Sequence, residues 1–330
     1  MIPKNILALR NDRFGEFLLN IPAFKALKQT YPEARLTVVV NPYVQEIAQC
    51  LDCIDEVIPW ENKKHTLREI IRFSSQLRKE RFDTCIILNP SKEFNIVGFL
   101  SGIPVRVGYD HKWAFLLTHK TPDKKYLGDK HEVEYNLDLA GVIGAKLRTG
   151  SKDKNLSLNI PDDIINKFPG VTDLRNSVVI HPFTSDMIKQ WPIERFCRLA
   201  QKLIQALNLN VILIGGKEEL ARLDKDIFNN FKHPNLINLI GQTSLKELTV
   251  LLKKSRLLVS ADSGPIHLAS CVETPVIAIF RNDIPAKRAK RWGPLSKNSY
   301  VLEKNNLSDI SVDDVFDKVI FALGIKKGVE

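Results

Sequence analysis

The chain has 330 residues, of which 44% are hydrophobic, and this is enough for two domains that each bury a core. Its five cysteines are an odd number, and it has neither an apolar leader nor an apolar run of bilayer length, so we expect a cytoplasmic protein without a disulfide framework. The formal charge of +10 is spread evenly, with 24 Lys and Arg against 19 Asp and Glu on each side of residue 160, which argues against a nucleic-acid-binding tail and fits an anionic substrate or an acidic membrane surface.

Strands alternate with helices through the first half of the chain. The apolar patterning predicts strands at residues 6–9, 36–40, 56–58, 84–88 and 105–108, and helices at 17–30, 44–50, 66–81, 94–101 and 133–143. This alternation is typical of a doubly wound parallel sheet. Residues 156–161 are expected to close this domain, and Pro169 with Gly170 is a candidate hinge.

The same alternation restarts after the candidate hinge. We predict strands at residues 178–180, 211–214, 236–239, 257–259 and 276–280, and helices at 193–207, 218–230, 245–254, 266–270 and 312–323. The chain is thus expected to be an α/β protein of two Rossmann-like doubly wound domains that face a central cleft. The predicted domains cover residues 1–165 and 170–310, and the last segment, 311–330, is expected to be a helix that packs back on the first domain.

The most informative stretch is 257–269, where a buried strand runs through a tight turn into a helix. Asp262 and Ser263 are good capping residues, Gly264 suits the turn, and Pro265 suits a first helical position. A helix start at the carboxyl edge of a parallel sheet favours a phosphate or diphosphate, and His267 is near enough to face it. An ordinary capped helix is the structural alternative.

Other candidates also follow predicted strands. Thr184 and Ser185 offer hydroxyls to a phosphate, and Lys189 could neutralise a leaving diphosphate, although most lysines are simply solvated. Gly216 with a nearby carboxylate suits ribose hydroxyls, or is only a turn. Glu16 follows the first strand and could act as a general base, or could only complement a helix dipole.

Missing motifs narrow the choice of function. The chain has no Gly-x-Gly-x-x-Gly after its first strand and no Walker loop, which weakens dehydrogenase and kinase interpretations. Its only Asp-x-Asp motif, Asp224 with Asp226, falls within a predicted helix. Cys50 and Cys53 have the spacing of two zinc ligands, but the chain has no second Cys or His pair to complete such a site. We therefore expect no metal and no cofactor other than the substrate itself.

The motifs together resemble glycosyltransferase family 9, the ADP-heptose:lipopolysaccharide heptosyltransferases, over nearly the whole chain. The segments that carry the likeness are residues 9–16, 21–23, 106–110, 115–119, 131–134, 189–192, 215–216, 241–245 and 262–267. The resemblance implies a GT-B fold with an N-terminal acceptor domain and a C-terminal nucleotide-sugar domain. It also implies transfer that is inverting and independent of metal.

The resemblance assigns roles to individual residues. Glu16 matches the family's catalytic carboxylate, which is usually Asp, and Lys189 supports the leaving group. The donor site implied by the family comprises Thr184, Ser185, Lys189, Gly216, Glu219, Thr243, Asp262, Ser263, Gly264 and His267. After residue 280 the chain has a basic loop where relatives usually show Gly-x-Thr-x-Pro, and we expect acceptor contacts from Arg10, Arg13, Arg288 and Arg291.

The expected function is transfer of a heptose from ADP-heptose to the lipopolysaccharide inner core or a related surface glycan. The partners would be the nucleotide sugar, a lipid-linked anionic glycan and, peripherally, the inner face of the cytoplasmic membrane, with no nucleic acid and a monomeric state. The alternatives are a transferase or epimerase acting on another nucleotide sugar, and a non-catalytic nucleotide-sugar or nucleic-acid binder.

Overall fold

The computed structural model describes residues 2–147, 156–161, 173–222 and 233–325. The chain divides into two compact units, Met1–Leu156 and Ser157–Glu330. Two predicted features lie outside the described residues. They are the candidate hinge at Pro169 and the Asp224–Asp226 pair, together with the later part of the helix predicted around that pair.

The first unit is built on a parallel sheet of six strands. These strands are β1 (Asn5–Leu9), β2 (Arg35–Val40), β3 (Glu56–Pro59), β4 (Thr84–Ile87), β5 (Val105–Tyr109) and β6 (His119–Thr121). The helices are α1 (Phe14–Leu18), α2 (Ile21–Thr30), α3 (Gln45–Ala48), α4 (Leu67–Lys79), α5 (Lys92–Leu100) and α6 (Glu132–Gly141). The strand order is β3-β2-β1-β4-β5-β6, so the order reverses between β1 and β4.

The second unit repeats this plan. Its strands are β7 (Ser177–His181), β8 (Asn210–Leu213), β9 (Leu236–Asn238), β10 (Leu257–Ala261), β11 (Val276–Arg281) and β12 (Tyr300–Lys304). Its helices are α7 (Ile193–Leu207), α8 (Lys217–Arg222), α9 (Leu245–Lys254), α10 (Gly264–Cys271), α11 (Ala289–Trp292) and α12 (Val312–Leu323). The strand order is β12-β11-β10-β7-β8-β9, which reverses between β7 and β10.

The central strands are mostly apolar and almost fully buried, as parallel sheets with helices on both faces require. Every residue of β7 and β10 is buried, as is nearly all of β1. In such sheets a crevice opens outside the carboxyl ends of the strands where the order reverses. The expected ligand edges are therefore the ends of β1 and β4 in one unit and of β7 and β10 in the other.

Two boundary predictions need correction. Residues 156–160 were expected to close the first domain, but the division falls after Leu156, and the Leu158 N–H donates to the Cys271 carbonyl of α10 at 3.2 Å. The last helix, α12, was expected to pack back on the first domain. Its apolar face lies instead in the core of the second unit, where the Trp191 indole N–H donates to the Ile310 carbonyl just before the helix at 3.0 Å.

Candidate active site

The second unit places two charged side chains together where its strand order reverses. Lys189 Nζ lies 2.6 Å from Asp262 Oδ2, and the two side chains are 17% and 7% exposed. Burial raises the pKa of Asp262, while the Lys189 ammonium opposes this rise. The Lys189 ammonium therefore lies beside the start of α10, largely shielded from water and paired with the Asp262 carboxylate.

Ser263 precedes α10 as its N-cap residue, but its side chain does not cap the helix. Its hydroxyl is instead hydrogen-bonded to His181 Nδ1 at 3.0 Å and to Ser260 Oγ at 2.8 Å. Gly264 is the first helical residue, so Pro265 occupies the second position and not the predicted first one. Because no side chain caps this helix start, it keeps the character of an anion site.

The turn after β8 approaches the end of β7 closely. A side chain at Gly215 would bring a Cβ within 2.7 Å of the Phe183 ring, so the close approach requires glycine. The Gly216 N–H donates to Glu219 Oε2 at 2.7 Å, and the same oxygen lies 3.4 Å from His181 Nε2. His181 thus connects Glu219 to Ser263, a role that sequence reasoning missed although the residue follows a predicted strand.

The loop after β7 supplies hydroxyls and a second ion pair. Thr184 is buried and its hydroxyl accepts from the Asp186 N–H at 3.1 Å, whereas Ser185 is exposed. Asp186 Oδ2 pairs with Lys287 Nζ at 2.6 Å. This pair ties the loop to the basic segment after β11.

The remaining predicted donor residues stand in two places. Thr243 directly precedes the N-cap of α9, in a turn whose Gly241 N–H donates to the Gly215 carbonyl at 2.8 Å. This contact brings the turn to the same edge of the sheet. His267 is buried within α10, and its contact with the anion stays a prediction.

The first unit gathers charged groups after β1. Arg10 is buried, its Nε lies 2.7 Å from Asp12 Oδ1, and its Nη1 donates to the Leu88 carbonyl at 2.8 Å. This guanidinium contacts Asp12 and the end of β4, and its predicted contact with the acceptor stays a prediction. Arg13 is 62% exposed and lies 3.9 Å from Glu16.

Glu16 stands in the first turn of α1. Burial raises its pKa above the ordinary glutamate value, and the Asp12 carboxylate raises it further. Burial also raises the pKa of Asp12, against the opposing charge of Arg10. Two neighbouring carboxyls that disfavour each other's ionisation are typical of sites that transfer protons. The sequence named Glu16 but gave no role to Asp12.

The basic segment after β11 is partly engaged in contacts of its own. Arg288 Nε donates to the Asn282 carbonyl at 2.6 Å, and Arg291 lies 4.5 Å above the Trp292 ring. Lys189 Nζ is 5.9 Å from the same ring. The part of the chain that the structure describes contains no cluster of three His, Cys, Asp or Glu side chains arranged to hold a metal ion.

Comparisons with known proteins agree with this architecture. The sequence profile of glycosyltransferase family 9 (heptosyltransferase) matches residues 70–319. The lipopolysaccharide core heptosyltransferase OpsX of Haemophilus influenzae is 25% identical over 296 residues, which cover 87% of this chain and 82% of the relative. E. coli ADP-heptose lipopolysaccharide heptosyltransferase II superposes with a TM-score of 0.79 at 21% identity, over 97% of this chain and 98% of the other. The iron-containing dodecameric glycosyltransferase TibC of E. coli is more distant, with a TM-score of 0.55 at 13% identity over 97% of this chain and 76% of TibC.

Two doubly wound α/β units of this kind have the GT-B fold. The chain belongs to glycosyltransferase family 9, because the family profile covers most of its length. The expected fold class and the expected enzyme class are both confirmed.

Proposed function

We propose that this enzyme transfers a heptose from ADP-heptose to the inner core of lipopolysaccharide, by a single inverting displacement that needs no metal ion. The observation that carries the proposal is the shielded ion pair of Lys189 and Asp262 at the uncapped start of α10. The names of relatives such as OpsX and heptosyltransferase II support the choice of sugar and acceptor.

The second unit binds the donor in this proposal. The helix start at Ser263 and Gly264 and the hydroxyls of Thr184 and Ser185 bind the diphosphate, and Glu219 accepts hydrogen bonds from the ribose. Lys189 balances the negative charge that grows on the diphosphate as the glycosidic bond breaks. Since this charge comes from a side chain, the mechanism requires no divalent cation.

The first unit supplies the base. Glu16 accepts the proton from an acceptor hydroxyl, whose oxygen attacks the anomeric carbon as the nucleoside diphosphate leaves. Attack from the side opposite the leaving group inverts the configuration at that carbon. The raised pKa of Glu16 makes its carboxylate a stronger proton acceptor than an ordinary glutamate.

The proposed setting follows from the acceptor. We propose a monomeric enzyme that visits the inner face of the cytoplasmic membrane, where it would meet a lipid-linked acceptor. No helix among the described residues has the length and apolar character to cross a bilayer. Contact with the membrane is therefore proposed to be peripheral.

Glu16→Gln tests the base directly. The variant keeps the shape of the side chain but cannot accept a proton, so transfer should slow by about a hundredfold or more. Affinity for ADP-heptose, measured by calorimetry, should stay unchanged because the donor binds the other unit. Glu33→Gln is the control, since Glu33 is an exposed carboxylate of the same unit. Glu16→Asp, which restores the residue usual in the family, reports whether the extra methylene is tolerated.

Two outcomes would contradict the proposal in different ways. Wild-type turnover by Glu16→Gln would remove the base from the mechanism but leave the donor and acceptor unchanged. A wild-type enzyme that binds ADP-heptose but transfers nothing to a core acceptor would overturn the proposed reaction itself.

A further inference from the structure

The α4–α5 layer of the first unit presents large apolar side chains to solvent. Leu67 and Ile71 on α4 are 67% and 48% exposed, and Phe99 at the end of α5 is 50% exposed. Trp113 and Phe115, in the short turn after β5, are 48% and 71% exposed. Apolar side chains gathered in this way mark interaction sites more often than single exposed ones do.

These side chains lie on three elements that are neighbours in the fold. α4 packs against α5, and α5 packs against the 3-10 turn Ala114–Leu116. The Trp113 and Phe115 rings are 5.8 Å apart. The Arg106 guanidinium lies 5.7 Å above the Phe99 ring, and its Nε donates to the Leu116 carbonyl at 2.8 Å. We call this surface the aromatic–basic face, and its apolar members are Leu67, Ile71, Phe99, Trp113 and Phe115.

Basic side chains surround the apolar ones. The helix α4 has four basic residues, of which Arg68 and Arg72 are exposed one turn apart, against one acidic residue. Lys92 Nζ lies 5.8 Å above the Trp113 ring, and Lys112 precedes that ring in the chain. The face therefore combines exposed apolar side chains with basic ones.

The backbone holds Trp113 outward at some cost. Lys112 and Trp113 have φ angles of +49° and +69°, which bulky residues rarely adopt. The conformation is kept by the buried Asn95, whose side-chain amide donates to the Lys112 carbonyl at 2.7 Å, and by Lys112 Nζ, which donates to the Pro90 carbonyl at 2.9 Å. A strained turn that exposes an indole ring is better explained by a partner for that ring than by folding.

We propose that the aromatic–basic face docks on the interface of an anionic lipid bilayer. Indole rings favour the boundary between headgroups and acyl chains, while arginine and lysine attract anionic headgroups. Aliphatic Leu67 and Ile71 favour a bilayer over a nucleic acid, which offers phosphates but no hydrocarbon. This inference rests on the proposed function, because it explains how a lipid-linked acceptor is reached.

The test measures partition of the full chain onto vesicles of phosphatidylcholine with and without phosphatidylglycerol. Binding should require the anionic lipid and weaken with salt. Arg68→Gln and Arg72→Gln should each weaken the partition by about fivefold. Trp113→Ser and Phe115→Ser should each weaken it by a similar factor, about fivefold. Variants that bind anionic vesicles as tightly as the wild type would overturn the proposal, as would binding to duplex DNA without binding to vesicles.

Matched controls come from the second unit. Phe321 is 65% exposed and Lys297 is exposed, so Phe321→Ser and Lys297→Gln remove the same kinds of groups from another surface. Both should bind vesicles like the wild type. If they weaken the partition as much as the variants of the face do, binding is unspecific and the proposal fails.

Trp113 also serves as a local probe. Its emission should shift to shorter wavelength when anionic vesicles are added, because the ring leaves water. Trp113→Phe should keep most of the partition but lose that shift, since an aromatic ring remains while the fluorophore does not. A shift that persists in Trp113→Phe would place another tryptophan at the membrane and contradict the proposed orientation.

A transfer assay separates docking from catalysis. On a deacylated, water-soluble core acceptor, Trp113→Ser and Arg68→Gln should transfer like the wild type, whereas on acceptor embedded in anionic vesicles they should be slower. Vesicle binding through this face by an enzyme that transfers to neither acceptor would refute the proposed function and leave docking intact. Transfer to embedded acceptor that all variants perform equally would refute docking and leave the function intact.

Discussion

At the scale of single residues, Lys189 and Asp262 neutralise each other at 2.6 Å in a largely buried position. A buried ion pair is weak evidence for stability, because desolvation of both charges offsets their attraction. The Lys189–Asp262 pair instead holds the lysine side chain in position before the donor binds. A diphosphate would share that ammonium with Asp262, so no side chain needs to be ordered when the ligand binds.

Asp12 should set the pH range of the enzyme through Glu16. Glu16 must be deprotonated to act as a base, and the Asp12 carboxylate raises the pKa of Glu16. Removing that negative charge in Asp12→Asn lowers the Glu16 pKa, so the acidic limb of kcat/KM should move to lower pH. The measurement is the pH profile of kcat/KM for both enzymes.

The control for this shift is Asp55→Asn. Asp55 pairs with Lys28 in the same unit, and its charge is not among the main influences on Glu16. The acidic limb of kcat/KM for Asp55→Asn should match that of the wild type. A limb that moves to higher pH in Asp12→Asn would contradict the coupling, and loss of turnover at every pH would make Asp12 itself the base.

Sequence reasoning found residues whose position along the chain already indicates a role. Lys189, Asp262 and Ser263 follow predicted strands, and a parallel sheet brings strand ends to one edge. Asp12 and His181 also follow predicted strands. Their roles, however, depend on contacts with other side chains, which the sequence does not show. Trp292 lies near Lys189 across a hundred residues of sequence, and no local pattern predicts such a contact.

At the scale of elements, the helices at 193–207, 245–254 and 312–323 agree with their predicted bounds because their apolar periodicity is strong. The predicted helix at 17–30 is two helices, α1 and α2, and Pro22 stands in the first turn of α2. The edge strands β6 and β12 were missed. Both are largely exposed, and β6 has only three residues, so they lack the apolar run that identifies a buried strand.

Two serines at helix starts should cost similar stability, for different reasons, when replaced by alanine. Ser311 completes a capping box with Asp314 at the start of α12, so Ser311→Ala should lower the free energy of unfolding by about 1 kcal/mol. Ser263 caps nothing but hydrogen-bonds His181, so Ser263→Ala should cost a similar ~1 kcal/mol through that bond. Denaturant unfolding measures both changes.

Donor affinity distinguishes the two serine variants, which serve as each other's control for general destabilisation. Ser263→Ala should weaken ADP-heptose binding by roughly threefold to tenfold if its hydroxyl also contacts the diphosphate, whereas Ser311→Ala should not. Equal affinities in calorimetry would remove Ser263 from the donor site.

At the scale of the whole molecule, the two sheets share one strand order, and each reverses its order once. The sequence was sufficient to predict two doubly wound units, because strands and helices alternate twice. It was not sufficient to place the boundary. The apolar residues at 156, 158 and 160 fit a strand of either unit, whereas in the structure the division falls after Leu156 and Leu158 is hydrogen-bonded to Cys271 of the second unit.

Dependence on a metal ion is a property of the whole molecule. It can be tested here, and the structurally similar TibC is described as iron-containing. In the proposed mechanism the Lys189 ammonium supplies the positive charge, so ADP should bind equally well with a chelator or with added magnesium or iron. At a hundredfold excess over its dissociation constant, ADP should stabilise the folded chain by about 2.7 kcal/mol, seen as a raised thermal midpoint. A chelator that abolishes this rise, with iron or magnesium restoring it, would show that a cation shares the charge that we assign to Lys189 alone.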